Sequence, residues 1–141
     1  MARFQHFLVP VDFTDKNEAA LQTARDLAAA ADGRMTLLHV IELIGDELDP
    51  ELAEFYERLQ RRASDELRAL EKRLIRLGIE TTTEIRIGRR VPEIVGFAAE
   101  NEVDLIVLSS HRIERDQPVR SLGTISYQVS ILCECAVMLV K

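Results

Sequence analysis

The chain has 141 residues, of which 47% are hydrophobic and 30% charged, and a net charge of −6 at pH 7. This composition is typical of a globular domain and excludes a disordered chain. The excess of acids argues against general nucleic-acid binding, which needs a basic face, but it leaves a local basic patch open. No apolar run approaches the roughly 20 residues that span a bilayer, and the N-terminal run is too short for a signal peptide. We therefore expect a cytoplasmic protein with no membrane partner.

The first third of the sequence predicts a strand, a helix and a second strand. Residues 7–11 form a short apolar run, and apolar residues then recur at helical spacing up to Gly33, a natural helix stop. Asp15 and Glu18 have the spacing of a capping box, with Thr14 as an alternative cap. Residues 35–41 are the second strand.

A long amphipathic helix is predicted next. Asp49 and Pro50 supply an N-cap and a first-turn proline, and the apolar pattern ends at Gly78. Its charged residues lie on the outer face. The apolar stripe is predicted to pack on the sheet, and includes Leu59, Leu67, Leu70 and Leu74.

The remaining elements continue the alternation of strands and helices. Strands are predicted at residues 81–87, 103–108 and 136–140, with helices following Gly88 and around Ile125 and Val129. The strand cores are continuous apolar runs, as expected when both faces of a sheet are covered. The sequence thus predicts an α/β fold in one domain, residues 1–141, built on a single open parallel sheet with helices on both faces.

The loops after the strands are the candidates for a ligand site. In open α/β sheets, ligands bind beyond the carboxyl ends of the strands, where the strand order reverses. The loops in question are residues 12–15, 40–43, 88–90 and 109–124.

The chain resembles the universal stress protein family over its whole length. The resemblance is carried by residues 7–14, 37–42, 104–111, 122–124 and 135–140, in this order and at these distances. It implies a five-stranded parallel sheet of order 3-2-1-4-5, Rossmann-like and similar to the adenine nucleotide alpha hydrolases. The crevice would then lie at the ends of strands one and four.

The resemblance also implies a degenerate ATP-binding loop. Family members that bind ATP have Gly-x-x-Gly after strand four, then nine residues, then Gly-Ser or Gly-Thr. Here Ser109 and Arg112 stand at the first two glycine positions, and ten residues separate Arg112 from Gly123-Thr124. A Cβ blocks the close approach of phosphate to backbone N–H groups. Only Gly123 and Thr124 keep the pattern, at a helix N-terminus.

The adenine end of the site is better preserved. By resemblance, Pro10 and Asp12 lie near the base and ribose, Val40 offers backbone contacts to adenine, and Gly88 allows close approach. Pro10 and Val40 also fit ordinary strand-end residues, and Asp12 fits a residue that hydrogen-bonds a neighbouring turn.

Arginines in the loop leave a second interpretation open. Arg112, Arg115 and Arg120 have the chemistry to pair with phosphate oxygens. Glu114 and Asp116 lie among them, which favours a solvated loop over an arginine clamp.

We expect a non-enzymatic stress-response protein that acts as a homodimer and contacts an unknown protein partner, with ATP binding weak or absent. The last strand would lie at the sheet edge and form the dimer interface, through Val137, Met138, Leu139 and Val140. The alternative is a switch that binds ATP or AMP in the crevice after strands one and four. No His-x-Gly-His motif supports adenylyl transfer, and Ile87-Gly88 stands where a phosphorelay receiver needs aspartate. A flavodoxin-like carrier is disfavoured because residues 12–18 hold three acids that would repel phosphate.

Cys133 and Cys135 are the only cysteines, and both are expected to be thiols in a reducing compartment. On a continuous strand their Cα atoms would be roughly 6.5 Å apart, at the edge of disulfide reach. We predict neither a disulfide nor a metal site.

Overall fold

The computed structural model describes residues 3–45, 47–110 and 124–141, and the structural statements below concern those residues. Five strands form one parallel sheet in the order β3-β2-β1-β4-β5, which confirms the order implied by the resemblance. The strands are β1 (His6–Pro10), β2 (Arg34–Glu42), β3 (Glu80–Gly88), β4 (Leu105–Ser109) and β5 (Ala136–Val140).

Helices cover both faces of this sheet. In the described residues they are α1 (Asn17–Ala31), α2 (Ala53–Arg76, preceded by a 3-10 turn at Pro50–Leu52), α3 (Arg90–Glu100) and α4 (Ile125–Leu132). None of these helices is long and apolar enough to cross a membrane.

Two hydrophobic cores lie on opposite faces of the sheet. Because side chains alternate along a strand, Phe7 and Val9 of β1 pack with α1 and α2, while Leu8 packs with α3 and α4. In α2, Leu67 and Leu74 are fully buried in the first core, and Leu70 packs against it. The predicted sheet-facing stripe is thus confirmed at these positions.

The start of α1 differs from the predicted capping box. Lys16 is the N-cap residue and makes no side-chain cap, so the assignment of Asp15 and Glu18 as a capping pair is wrong. Instead the buried Asn17 accepts hydrogen bonds at Oδ1 from the backbone N–H groups of Asp12 and Phe13, at 2.8 and 3.0 Å. The polar contacts therefore shape the loop before the helix rather than the helix end.

The end of α1 also differs in detail. Asp32, not Gly33, takes the left-handed conformation, with φ of 52°. A Cβ on Gly33 would lie 2.6 Å from the carbonyl oxygen of Gln5, so the glycine permits a close approach of two backbones. By contrast, the predicted stop after α2 is confirmed, since Gly78 has φ of 85°. The predicted cap is found three residues early: Asp49 accepts a hydrogen bond from Glu51 N at 2.9 Å, but it caps the 3-10 turn at Pro50–Leu52, and the α-helix itself begins at Ala53.

The amino ends of β1 and β4 are tied together by polar contacts. The Asp104 carboxylate accepts hydrogen bonds from the N–H groups of Gln5 and His6, at 2.9 and 2.8 Å. The buried His6 ring contacts Thr36 Oγ1 at 2.7 Å and the Asn101 carbonyl at 3.1 Å. Burial and the nearby Arg34 charge lower the pKa of His6, so the ring stays neutral in this network.

Cys133 and Cys135 are not on a continuous strand, contrary to the geometry assumed from the sequence. Cys133 caps the end of α4 and the chain bends before β5 begins. This bend brings the two Sγ atoms to 3.3 Å, and both cysteines are free thiols. Burial and the contact with Cys133 raise the pKa of Cys135 to about 12.

Replacing Leu67 tests whether α2 depends on the sheet for its stability. Leu67 is 1% exposed, so Leu67→Ala should lower the free energy of unfolding by about 2–5 kcal/mol, because it leaves a cavity in the first core. Leu48→Ala is the matched control, since Leu48 is 61% exposed. Urea titration measures both; a loss below roughly 0.5 kcal/mol for Leu67→Ala would show that its side chain is not in the core.

The cysteine pair should be chemically quiet at neutral pH. Since the thiolate is the nucleophile, a raised pKa predicts that Cys135 is alkylated by iodoacetamide at least about tenfold more slowly in the folded protein than in guanidinium. Mass spectrometry of the labelled peptide gives the rate. Replacing both cysteines with serine should leave the biological activity intact. A disulfide or stoichiometric zinc in the purified protein would contradict this expectation.

Candidate functional site

A crevice opens at the carboxyl edge of the sheet, between β1 and β4. The strand order reverses there, so the connections after these two strands leave toward opposite faces. The cavity has a volume of about 540 Å³. It is lined by residues of α1, α3 and α4 and their flanking loops, and by none of α2. Its size is in the range of small-molecule sites.

Most described members of the predicted nucleotide site lie in this crevice. They come from the ends of three strands and from the residue that precedes α4, and are Pro10, Asp12, Val40, Ser109 and Thr124. Arg112 and Gly123, which were also predicted, lie outside the described residues, as do Arg115 and Arg120. The end of the crevice that would hold phosphates is therefore described only by its flanks.

The wall of the crevice on the side of β2 and α3 is largely apolar. Pro10, Leu38 and Val40 come from the strands, and Ile94 and Ile125 come from the helices that cover them. A flat, apolar ligand group fits such a wall better than a charged group does.

Asp12 is held in a tight turn by the residues that follow it. Its Oδ1 accepts hydrogen bonds from Thr14 N at 3.0 Å and from Thr14 Oγ1 at 2.7 Å. Partial burial acts to raise the pKa of this carboxyl, but the Thr14 hydrogen bonds and the Arg90 charge outweigh it, so the pKa lies below its usual value. Asp12 is thus an exposed, ionised carboxylate whose orientation is fixed through one oxygen.

The loop after β1 is shaped around an aromatic contact. Phe13 has a positive φ of 65°, and its ring stacks on His39 with centroids 4.4 Å apart. His39 Nδ1 donates a hydrogen bond to the Val11 carbonyl at 2.8 Å, because a carbonyl oxygen only accepts. These contacts, together with Asn17, fix the backbone from which Asp12 projects.

Ser109 joins the two sides of the crevice. Its hydroxyl donates a hydrogen bond to the carbonyl of Lys16, at the start of α1, across 93 positions of sequence. The next residue, Ser110, donates its N–H to the Val140 carbonyl of β5 at 2.8 Å. The end of β4 is therefore attached to α1 by a side chain that a glycine would not have.

Thr124 has a structural task at the start of α4. It is the N-cap residue, and its Oγ1 accepts from Tyr127 N at 3.4 Å and lies 3.3 Å from Ser126 Oγ. The helix N-terminus opens into the crevice, where both Thr124 and Ser126 are lining residues.

Gly88 does not line this crevice, contrary to the expectation for it. It lies in a neighbouring cavity of about 440 Å³, together with Glu42 and Arg89. A Cβ on Gly88 would lie 2.6 Å from Glu93 Oε1, so the close approach that the glycine permits is to a side chain of α3. Gly88 therefore lies beside the crevice and not in its lining, and a close approach of ligand to this residue stays a prediction.

Three cationic residues line the crevice that the sequence did not single out, namely Lys16, Arg90 and Lys141. Arg90 lies at the start of α3, and its Nε contacts Glu42 Oε1 at 3.3 Å. The sequence did contain a signal for Arg90, because it lies two residues after β3 in the loop 88–90, which was a candidate for the ligand site. Lys16 and Lys141 come from a helix N-cap and from the last position of the chain, and neither pattern distinguishes them from surface lysines.

The described residues include no group of three or more His, Cys, Asp or Glu side chains arranged to hold a metal ion. Among the residues that the structure describes, the crevice offers an apolar wall, the carboxylates of Asp12 and Asp15, several hydroxyl groups and three cations.

Both the sequence and the structure of this chain are similar to those of known proteins. The model of the universal stress protein family matches residues 3–141. The chain is 28% identical to universal stress protein YxiE of Bacillus subtilis, over 98% of this chain and 99% of that protein. UspA of Lactobacillus plantarum superposes with a TM-score of 0.80 at 26% identity, with both chains fully covered.

A third match is more distant. The universal stress protein of Archaeoglobus fulgidus in complex with dAMP superposes with a TM-score of 0.63 at 22% identity, over 98% of each chain, which shows a shared fold. Since the family model spans nearly the whole sequence, the chain belongs to the universal stress protein family.

Proposed function

We propose that this protein is a non-enzymatic stress-response protein that acts as a homodimer through protein contacts, and that it binds ATP weakly or not at all. The observation that carries the proposal is the hydroxyl of Ser109, hydrogen-bonded to the Lys16 carbonyl where the family's ATP binders have bare backbone. The crevice keeps its adenine-facing wall and its fixed carboxylate, but its phosphate end is altered.

The energetic consequence follows from hydrogen-bond strength. Each charge-assisted hydrogen bond to phosphate that the loop cannot make forfeits about 1.5–3 kcal/mol. The loss of two or three would move a micromolar site into the millimolar range. The Ser109 hydroxyl also connects the end of β4 to the start of α1, so the residue at which the loop begins is held by a hydrogen bond.

Homodimerisation is supported by the exposed edge of β5. This strand pairs only with β4 among the described strands. Val137 and Leu139 pack toward the second core, and Val140 packs toward the first and lines the crevice. Met138 is 37% exposed, and it is the member of the predicted interface best placed for a partner strand.

A switch that binds AMP is the second candidate. The Archaeoglobus fulgidus relative was solved with dAMP, which carries a single phosphate. Both hydrogen bonds from Thr14 go to Oδ1 of Asp12, which leaves Oδ2 as an acceptor for a ribose hydroxyl. Lys16, Arg90 and Lys141 supply positive charge for one phosphate without a glycine-rich loop.

Isothermal titration calorimetry tests the loss of ATP binding. We expect no binding heat for Mg-ATP at tens of micromolar, because Ser109 and Arg112 stand where the family's ATP binders have glycine. A variant with glycine at positions 109 and 112 and one loop residue deleted should bind more tightly.

Asp12→Asn in that restored variant serves as the control, since it removes the carboxylate from the ribose end without touching the loop. It should reverse the gain. Tight binding of ATP by the unmodified protein would refute the proposal and favour the switch, with Arg112, Arg115 and Arg120 as the first phosphate ligands to test.

Charge at the edge strand tests the dimer. Met138→Glu should raise the dimer dissociation constant at least about tenfold, because it buries an unpaired charge at the interface. Ile44→Glu is a matched control, since Ile44 is 57% exposed and lies far along the chain from β5. Sedimentation equilibrium measures both. A wild-type monomer at micromolar concentration would exclude the dimer.

A further inference from the structure

The outer face of α2 carries a band of positive charge. We define the basic stripe as the seven bases of this helix, which are Arg58, Arg61, Arg62, Arg68, Lys72, Arg73 and Arg76. All seven are exposed. At about 100° per residue they fall within an arc of about 140°, opposite the buried Leu67 and Leu74.

Little in the described structure neutralises this stripe. Arg61 lies 3.8 Å from Glu57, and Arg73 lies 3.2 Å from Glu18. The other five bases form no ion pair with any described residue. Two acids of α2 share the arc, Glu54 and Asp65, and neither pairs with a base in the described part of the chain. The stripe is thus a basic surface on a protein whose net charge is −6.

The pattern differs from arginine use elsewhere in the molecule. Arg86 contacts three glutamates, at 3.3 to 3.8 Å, and stacks over Phe97, while Arg90 pairs with Glu42. In the stripe, by contrast, Arg58 and Arg62 are like charges four residues apart. Like charges at this spacing destabilise an isolated helix.

The helix dipole explains only part of the stripe. Positive charge near a helix C-terminus is favourable, and Arg73 and Arg76 lie in the last turn. The effect falls off within that turn, so it does not account for Arg58, Arg62 or Arg68. A solvated charged face would also be expected to balance the two signs more evenly than the seven bases and two acids of this arc do.

We propose that the basic stripe is a docking site for an acidic segment of another protein, one that also carries apolar side chains. Arginine binds carboxylates through two parallel hydrogen bonds, which suits an acidic segment. Ile75 and Leu77 are 50% and 55% exposed at the C-terminal end of the stripe, and they provide apolar contacts. α2 contributes no described lining residue to the crevice, so this surface adds a second binding function to the one proposed above.

The exposed apolar residues favour a protein partner over nucleic acid. A phosphate backbone makes no use of Ile75 or Leu77. The net charge of −6 also repels an extended polyanion, whereas charges more than about 8 Å from a short segment are largely screened at physiological salt.

A peptide with the required chemistry can be copied from the chain itself. Residues 42–55 contain six acids and no base, and in the protein Ile44 and Leu48 of this segment are exposed. Fluorescence anisotropy of the labelled peptide against the full protein measures binding at low and at physiological salt. We expect binding that weakens as salt rises, and that weakens at least threefold when serine replaces both Ile44 and Leu48 in the peptide.

Matched variants test whether the stripe is responsible. The triple variant R62Q/R68Q/K72Q should lose at least tenfold in affinity for the peptide, and its melting temperature should not fall, because it relieves like-charge repulsion and keeps both bases of the last turn. The control Q22E/A29E/A30E makes the same change in net charge on exposed positions of α1 and should change affinity less than threefold.

Four results would overturn the proposal. The first is no binding of the peptide at low salt, and the second is an equal loss of affinity in the stripe and control variants. The third is equal affinity for the peptide that lacks Ile44 and Leu48, which would mean a nonspecific polyanion surface. The fourth is tighter binding of a single-stranded oligonucleotide than of the peptide, lost in the stripe variant, which would identify nucleic acid as the partner.

Discussion

The reversal of strand order between β1 and β4 is the constraint on which the rest of the molecule depends. It sends the chain to opposite faces after these strands and leaves a crevice that the sheet itself cannot fill. Asp104 holds the amino ends of β1 and β4 together through two backbone hydrogen bonds. At the carboxyl ends, Ser109 makes the corresponding connection through the Lys16 carbonyl. The segment containing β4 is thereby connected to β1 at its amino end and to α1 at its carboxyl end.

The hydrogen bond to the Lys16 carbonyl gives Ser109 a structural function of its own. The absence of a glycine removes a position where phosphate could approach the backbone. The hydroxyl present instead attaches β4 to α1, and Thr124 caps α4 with the oxygen that would otherwise be free. Ser109 and Thr124 are thus engaged in holding the fold, while Asp12 and the apolar wall line the crevice. This arrangement supports the proposal that a ligand with little phosphate is favoured over a triphosphate.

The fold was predictable because its strands and helices follow simple periodicities. The continuous apolar strands and the stripe containing Leu67 required no more than the alternation of elements and the resemblance to place them. The local contacts were less accessible. In place of the predicted capping box, the Asn17 side chain accepts hydrogen bonds from the backbone of the preceding loop. Asp32 takes the left-handed conformation at the end of α1, and Gly33 allows the close approach of the Gln5 carbonyl. Such exchanges depend on three-dimensional neighbours that no spacing encodes.

The same limit applies to the site. Pro10, Asp12, Val40, Ser109 and Thr124 were found because they occupy positions in a pattern. Gly88 had the pattern but serves the packing of Glu93. Lys16 and Lys141 had none, since their proximity arises only when a helix start and the last strand reach the same edge of the sheet.

Nucleotide carried by the purified protein tests the central claim most directly. The protein is denatured, the precipitate is removed, and the supernatant is chromatographed against ATP, AMP and dAMP standards. We expect no ATP, because two of the three glycines of the family's ATP-binding loop are replaced here by Ser109 and Arg112. Close to one ATP per chain would contradict the loss of ATP binding and show that the protein holds triphosphate without the family's glycine-rich loop.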